Sequence, residues 1–96
     1  MKYLIIDASL NGTGVRDYYE GGYIDPEDLC LRPEIVQRLN QWLLSYENEH
    51  YNGFENEHFI DELYREGKEI ALAIKQELLE VKIEYFSDAR MTRVII

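Results

Sequence analysis

Apolar residues follow strand-like patterns in two parts of the chain. Residues 2 to 7 form a nearly unbroken apolar run of β-forming residues, which predicts a buried strand in the centre of a sheet. Residues 81 to 86 alternate between apolar and polar side chains, and a second short apolar segment covers residues 91 to 96. A polar turn separates these two segments, so the pattern predicts a β-hairpin.

Two central segments carry apolar residues at helical spacing. The first begins at Pro33 and is predicted to end at residue 51, and the second is predicted over residues 56 to 80. Gly67 lies within the apolar stripe of the second helix, where glycine costs up to about 1 kcal/mol relative to alanine. We therefore expect another element to pass close to Gly67. The apolar positions of the two helices are Ile35, Val36, Leu39, Trp42, Leu43 and Tyr46, and then Ile60, Leu63, Ile70, Ala71, Ile74 and Leu78.

Residues 8 to 32 follow neither period and contain turn signals with glycine. This segment is predicted to be a long ordered loop with one helical turn near residues 15 to 19. A further short helical turn is expected where Asp25 can act as the cap and Pro26 can take the first position. A loop of this length is uncommon in a small domain and is often functional.

The order of these elements predicts an α+β fold in one domain spanning residues 1 to 96. We expect a small mixed sheet of about three strands with two helices packed on one face, as a two-layer sandwich. The long connection through the helices allows the first strand to lie parallel to its neighbour. Because the first strand is apolar on both faces, two helices cannot cover all of its surface. The loop of residues 8 to 32, a second copy of the chain or a partner protein must cover the rest.

The composition favours an acidic protein that binds basic partners. The 96 residues include 19 acidic and 10 basic side chains, for a formal net charge of −9. Such a charge repels nucleic acid and anionic membranes and attracts basic proteins. No apolar run is long enough to cross a membrane, and the one cysteine, Cys30 between Leu29 and Leu31, is predicted to be a packed thiol. These features predict a cytoplasmic location.

The sequence Glu-Asn-Glu-His occurs twice, ending at His50 and at His58. The two histidines are predicted to lie on different helices, whereas helical zinc sites place two histidines four residues apart on one helix. An acidic helix junction explains the repeat better, because Asn56 can cap the second helix and the neighbouring acids favour its positive end. We therefore expect no metal.

Other patterns of catalytic or cofactor-binding proteins are incomplete. Gly12 and Gly14 follow a strand, but the third glycine of a dinucleotide-binding loop is missing, so we expect no cofactor. No serine or cysteine has a histidine beside it in the sequence. The chain is therefore predicted not to be an enzyme. The alternatives are a small metal-dependent or hydrolytic enzyme that uses Asp7, His50 and His58, or a homodimeric regulatory or structural subunit that pairs through the uncovered sheet face.

Acidic residues and tyrosines are interleaved in the long loop. Tyrosine is a frequent interface anchor because it is large, stiff and polar at its tip, and carboxylates speed the capture of a basic protein. A second acidic cluster covers residues 47 to 57 and is the second candidate surface. The predicted partner-binding residues in the loop are Arg16, Asp17, Tyr18, Tyr19, Glu20, Tyr23, Asp25, Glu27 and Asp28.

Three segments of the chain carry a family resemblance. They are RDYYEGGYIDPEDL at residues 16 to 29, PEIVQRLNQWLLSYE at residues 33 to 47, and EGKEIALAIKQELLEVKIEYF at residues 66 to 86. In these segments the chain resembles the small acidic immunity proteins of bacterial polymorphic-toxin and contact-dependent growth inhibition systems. The resemblance implies a protein that acts by binding and has no catalytic residues. It also implies a basic toxin domain as partner, of nuclease type, whose active or substrate-binding site the carboxylates would occlude.

Overall fold

The computed structural model describes residues 2–8, 12–51, 57–78, 80–87 and 92–96. These residues form two α-helices and four strands, so the α+β class is confirmed. Within them, neither helix combines the length and apolar character needed to cross a membrane. The elements are β1 (Lys2–Ile6), β2 (Val15–Asp17), a 3-10 helix (Pro26–Leu29), α1 (Pro33–Tyr51), α2 (Glu57–Leu78), β3 (Val81–Ser87) and β4 (Thr92–Ile95).

The strands form one mixed sheet in the order β2-β1-β3-β4. β1 is antiparallel to β2 and parallel to β3, and β4 is the antiparallel neighbour of β3. In the parallel pair Leu4 lies opposite Ile83, a geometry that needs the long crossover which α1 and α2 supply. The two central strands are therefore contributed by distant parts of the sequence.

The core lies between the two helices and one face of the sheet. Trp42 is buried there, and its indole Nε1 donates a 2.9 Å hydrogen bond to the carbonyl oxygen of Leu63, which joins α1 to α2. Buried polar groups need such partners, since an unpaired one costs about 1–3 kcal/mol. The strands contribute Leu4, Ile6, Val15, Ile83 and Tyr85 to the core, and the helices contribute Ile35, Leu39, Trp42, Tyr46, Leu63, Ile70, Ala71 and Ile74.

Gly67 lies where α2 approaches α1 and β3. A methyl group at Gly67 would come within 2.6 Å of a ring carbon of Trp42 and would also overlap the hydroxyl group of Tyr85. That hydroxyl is buried and donates a 3.1 Å hydrogen bond to the carbonyl oxygen of Tyr64. Burial raises the pKa of Tyr85, and the neighbouring Tyr46 and Tyr64 raise it further. The predicted close approach at Gly67 is confirmed.

The loop after β1 contains more regular structure than the sequence predicts. The helical turn predicted near residues 15 to 19 is wrong, because Val15–Asp17 form strand β2 and the sheet has four strands rather than about three. Val15 is β-branched and fully buried opposite Ile6, so packing against β1 favours the strand. Gly14, directly before β2, has a φ of 91°, which suits glycine.

The short helical turn predicted after Asp25 is present as the 3-10 helix, but the prediction of a packed thiol at its end is wrong. Cys30 is exposed, while Leu29 and Leu31 on either side of it are buried. The reason is the backbone: Cys30 ends the helix in the left-handed region, with φ of 57°, and its N–H donates to the carbonyl oxygen of Glu27.

Candidate partner-binding surface

The face of the sheet opposite the helices carries side chains that the core does not use. Side chains alternate between the two faces of a strand, so the register that pairs Leu4 with Ile83 also places Tyr3 beside Lys82 on the other face. We call this the open face. Its described residues are Tyr3, Ile5, Arg16, Lys82, Glu84, Phe86, Arg93 and Ile95. Ile95 is 58% exposed, so the face includes accessible apolar surface.

Three tyrosines join the open face to the turn after β2 and form what we call the tyrosine cluster. The rings of Tyr3 and Tyr18 stack with their centroids 4.0 Å apart, and Tyr19 packs edge-on against both rings. Tyr18 is 47% exposed and Tyr19 is 71% exposed. The Nζ atom of Lys82 lies 5.0 Å from the centroid of the Tyr3 ring, within cation–π range. The cluster is therefore a mutually supported aromatic surface that a partner can reach.

The charges of the open face are arranged by depth. Glu84 is only 4% exposed, whereas the side chain of Arg93, whose Nε lies 4.0 Å from Oε1 of Glu84, is 67% exposed. Lys82 is also exposed. Desolvation raises the pKa of the Tyr3 phenol, and the nearby Glu84 carboxylate raises it further. Among the described residues of this face, the charges that reach solvent are therefore cationic.

Arg16 is a predicted partner-binding residue that also has an internal role. Its Nη2 atom lies 2.5 Å from Oδ2 of Asp7, whose side chain is 1% exposed. The backbone of Arg16 forms an isolated β-bridge with Tyr23, which ties the loop back to β2. The guanidinium neutralises a buried carboxylate. Arg16 therefore stabilises the fold, whether or not it also contacts a partner.

The five predicted acids of the loop divide into two groups. Oδ1 of Asp17 accepts hydrogen bonds from the N–H groups of Tyr19, at 2.9 Å, and Glu20, at 3.4 Å, and so closes the turn after β2. Oδ1 of Asp25 accepts a 3.0 Å bond from the N–H of Glu27 and caps the 3-10 helix. These two carboxylates shape the loop. The other three acids have exposed side chains: Glu20, Glu27 and Asp28.

Tyr23 lies against the first part of the loop and is 44% exposed. Its ring covers Gly12, where an added methyl group would come 2.5 Å from a ring carbon. Next to it, Oγ1 of Thr13 donates a 2.6 Å hydrogen bond to the carbonyl oxygen of Ile24, and the N–H of Ile24 donates to the carbonyl of Val15 at 2.9 Å. These bonds hold the loop segment that carries Tyr23 beside β2.

The second acidic cluster lies partly outside the described residues, which do not include residues 52 to 56 or the side chain of His50. His58 is described, and its Nε2 atom lies 3.2 Å from Oε1 of Glu62, one turn further along α2. In the part of the chain that the structure describes, no three His, Cys, Asp or Glu side chains are grouped so that they could hold a metal ion.

The sequence pattern alone does not assign Tyr3, Lys82 and Arg93 to this surface. The apolar run of β1 places Tyr3 in the core, and the two cations lie beside acids in the sequence. Strand alternation supplies a signal, since residues 82, 84 and 86 share a face. Bringing that face beside Tyr3 and Arg93, however, requires the register of two strand pairings.

Comparison with protein families places this architecture in a known group. The family model described as Serratia CdiI immunity protein-like matches residues 5–88. The chain belongs to this family. The matched range runs from β1 through the loop and both helices to the end of β3. Comparison with curated proteins and with solved structures gave no significant match.

Membership of the CdiI-like family confirms the resemblance to immunity proteins of contact-dependent growth inhibition. An immunity protein of this type has a cognate toxin as its partner. The accessible parts of the CdiI-like chain, namely the acidic loop, the tyrosine cluster and the open face, are therefore candidate contact surfaces for that toxin.

Proposed function

We propose that this CdiI-like protein binds a basic, nuclease-type toxin domain and neutralises it by occluding its active or substrate-binding site. The observation that carries the proposal is an exposed, acidic and tyrosine-rich loop in a chain of the immunity family. Nuclease substrate sites bind phosphates and are electropositive for that reason. Carboxylates on a loop with internal hydrogen bonds suit such a site, because they match its charge. We place the encounter in the cytoplasm, where a nuclease toxin meets its substrate.

The loop residues take different parts in this proposal. The proposed charge contacts are Glu20, Glu27 and Asp28. The proposed anchors are Tyr18, Tyr19 and Tyr23, which are all at least 44% exposed. The residues that hold the loop in the binding conformation through internal bonds are Arg16, Asp17 and Asp25. A loop that is ordered in advance loses less conformational entropy on binding.

Charge and anchoring act on different steps of the association. The formal net charge of −9 steers a basic toxin toward the protein from a distance and raises the association rate at low salt. The tyrosines act after the encounter, because burial of large, stiff rings slows dissociation. The mechanism uses no metal and no cofactor.

A charge-reversal variant of the loop tests the proposal. We expect Glu20→Lys/Glu27→Lys/Asp28→Lys to weaken binding of the cognate toxin domain by about 100-fold or more, since three attractive contacts become repulsive. Titration calorimetry measures the affinity, and survival of cells that co-express the toxin measures protection. Asp17 and Asp25 are left unchanged, because their carboxylates hold the loop together.

A matched variant on the helices separates local contacts from overall charge. Glu47→Lys/Glu57→Lys/Glu62→Lys changes the net charge by the same amount at exposed positions of α1 and α2. We expect a smaller loss of affinity from this variant, because it alters only long-range steering. Equal losses would show that net charge alone is sensed, and a larger loss would move the contact to the helix junction. Wild-type protein that neither binds nor protects would overturn the proposed function.

A further inference from the structure

We propose that the toxin domain also docks on the open face of the sheet, where acidic side chains of the toxin meet Lys82 and Arg93. This inference rests on the proposed function, since it names a second part of the surface that the same partner covers. The partner surface is then bipolar. A basic area faces the acids of the loop, and an acidic area beside apolar side chains faces the open sheet.

The depth of the charges carries this inference. The one acid of the open face, Glu84, lies at its floor and is 4% exposed, and the Asp7 side chain that pairs with Arg16 of this face is 1% exposed. The cations lie at its rim, because Lys82 is exposed and the Arg93 side chain is 67% exposed. Arg16 is engaged by Asp7. A partner that approaches this face therefore meets positive charge, although the whole chain carries a net charge of −9.

The apolar groups of the open face are continuous with the proposed toxin contacts in the loop. Tyr18 is one of those contacts, and its ring stacks on Tyr3 of β1. Tyr3 in turn lies under Lys82, which is the neighbour of Tyr3 on β3. Further along the sheet, Ile95 of β4 adds an apolar side chain that is 58% exposed. A single docked domain can therefore contact Tyr18 of the loop together with Tyr3 and Lys82 of the open face.

Charge complementarity favours an acidic partner area over two other occupants. A second copy packed face to face would form a twofold interface, which brings the exposed cations Lys82 and Arg93 of both copies into the same interface. Such like-charge contacts are repulsive. Nucleic acid would meet two cations but also the acids of the adjoining loop, and its phosphates are repelled by the net negative charge.

The test compares two double variants with identical changes in net charge. Lys82→Glu/Arg93→Glu reverses the rim of the open face, and Arg65→Glu/Lys68→Glu reverses two exposed cations on α2. Circular dichroism and urea denaturation establish that both variants fold. If Lys82→Glu/Arg93→Glu does not fold, Lys82→Gln/Arg93→Gln is the milder substitute. The probe is the purified toxin domain, and stopped-flow mixing at low and high salt gives association and dissociation rates.

We expect the two double variants to change the affinity for the toxin domain differently. The rim variant should bind at least about tenfold more weakly, mainly through slower association, and the loss should shrink at high salt. The α2 variant should bind as tightly as the wild type or more tightly, because a more negative protein attracts a basic toxin more strongly. The affinity of Lys82→Gln/Arg93→Gln for the toxin domain should lie between the affinities of the wild type and of Lys82→Glu/Arg93→Glu.

Several results would overturn the inference in distinguishable ways. If the wild type binds and the rim variant binds equally well, the open face is not a toxin contact and the proposed function stands. If the wild type does not bind, both proposals fall. Sedimentation of the wild type alone would reveal a dimer, and a dimer that the rim variant abolishes would assign the face to a second copy. Retention of a single-stranded oligonucleotide that the rim variant loses would assign it to nucleic acid.

Discussion

The two faces of the sheet differ in what covers them, although the same strands supply both. On the helix face, Leu4, Ile6, Ile83 and Tyr85 are at most 1% exposed. On the open face, Tyr3 is only partly buried and the apolar surface continues to an exposed isoleucine in β4. Alternation along each strand makes this division possible, since neighbouring residues serve opposite sides. One face is thus committed to stability, and the other is available for recognition.

The polar groups of the two faces differ in the same way. On the helix face, the indole of Trp42 and the hydroxyl of Tyr85 each donate to a backbone carbonyl of α2. On the open face, Lys82 and Arg93 hold charges at the surface. Satisfied neutral groups stabilise a core, whereas exposed charges add little to stability and much to the choice of partner. Substitutions on the two faces should therefore change different measurements.

The largest expected difference comes from removing one isoleucine on each side. Ile70 is fully buried in α2, so Ile70→Ala should lower the free energy of unfolding by about 4 kcal/mol. Ile95→Ala, on the open face, should lower it by less than about 0.5 kcal/mol. Urea denaturation of both variants gives the two values. A comparable loss in both variants would contradict the exposed position of Ile95, because it would mean that the isolated protein buries this side chain.

The next largest effect on stability concerns the ion pair between Arg16 and Asp7. Arg16→Ala should cost about 3 kcal/mol, because it removes the guanidinium that neutralises the buried Asp7 carboxylate. Arg32→Ala removes an exposed pair with Glu77, 3.3 Å apart, and should cost less than about 1 kcal/mol. Thermal or urea unfolding measures both. Equal costs would show that the burial of Asp7 does not set the strength of its pair.

A methyl group added where α2 packs against the sheet should lower the stability more than a methyl group added in the loop. Gly67→Ala should destabilise the protein by about 2 kcal/mol despite the better helix propensity of alanine, since Trp42 and Tyr85 occupy the space. Gly22→Ala makes the same chemical change where nothing lies within 4 Å, and it should leave stability within about 0.5 kcal/mol of the wild type. If Gly67→Ala proves neutral, the helix-to-sheet packing is looser than the structure shows.

The smallest expected effect is the loss of one buried hydroxyl. Tyr85→Phe removes the hydrogen bond to the Tyr64 carbonyl and should cost about 1 kcal/mol at neutral pH. In the wild type, burial raises the pKa of Tyr85 above its ordinary value of about 10. The folded state therefore holds this proton more tightly than the unfolded state. The contribution of this group to stability should be complete and independent of pH well below pH 10, and it should be lost as the pH rises above about 10.

The predicted loss of stability at alkaline pH can be tested with a control variant. Urea unfolding at a series of pH values should show a shallower decline above about pH 10 in Tyr85→Phe than in the wild type. Tyr19→Phe changes a phenol that is 71% exposed and should leave the wild-type decline in place. A decline that is identical in all three proteins would argue against burial as the cause of the raised pKa.

Much of the fold follows from local patterns in the sequence. The helical period of apolar residues predicts both helices, and alternation predicts the hairpin strands. Strand β2 does not follow from its sequence, because three residues carry no period and Val15 becomes a strand residue only when β1 lies beside it. Cys30 shows the same limit. Two buried leucines flank it, yet the left-handed backbone at the end of the 3-10 helix leaves its thiol exposed.

The candidate surface follows from the sequence only in part. Composition draws attention to the acids and tyrosines of the loop, and the structure gives most of their side chains access to solvent. The sequence predicts that Asp25 caps the short helix, but it does not reveal that Asp17 accepts two backbone hydrogen bonds in the turn after β2, since those bonds depend on the local geometry. It also does not place Lys82 beside Tyr3, because that contact requires the parallel pairing of β1 with β3.

The pairing of Leu4 with Ile83 also bears on how the protein is made in the cell. A ribosome releases β1 and the tyrosines of the loop long before β3, and parallel strands that are distant in sequence pair slowly. Until then β1 has only the three-residue strand β2 as a neighbour. The newly made chain therefore exposes an apolar strand throughout much of translation. The candidate surface combines Tyr3 and Tyr18 with Lys82 of β3. Co-translational intermediates that lack β3 therefore cannot present the complete candidate surface.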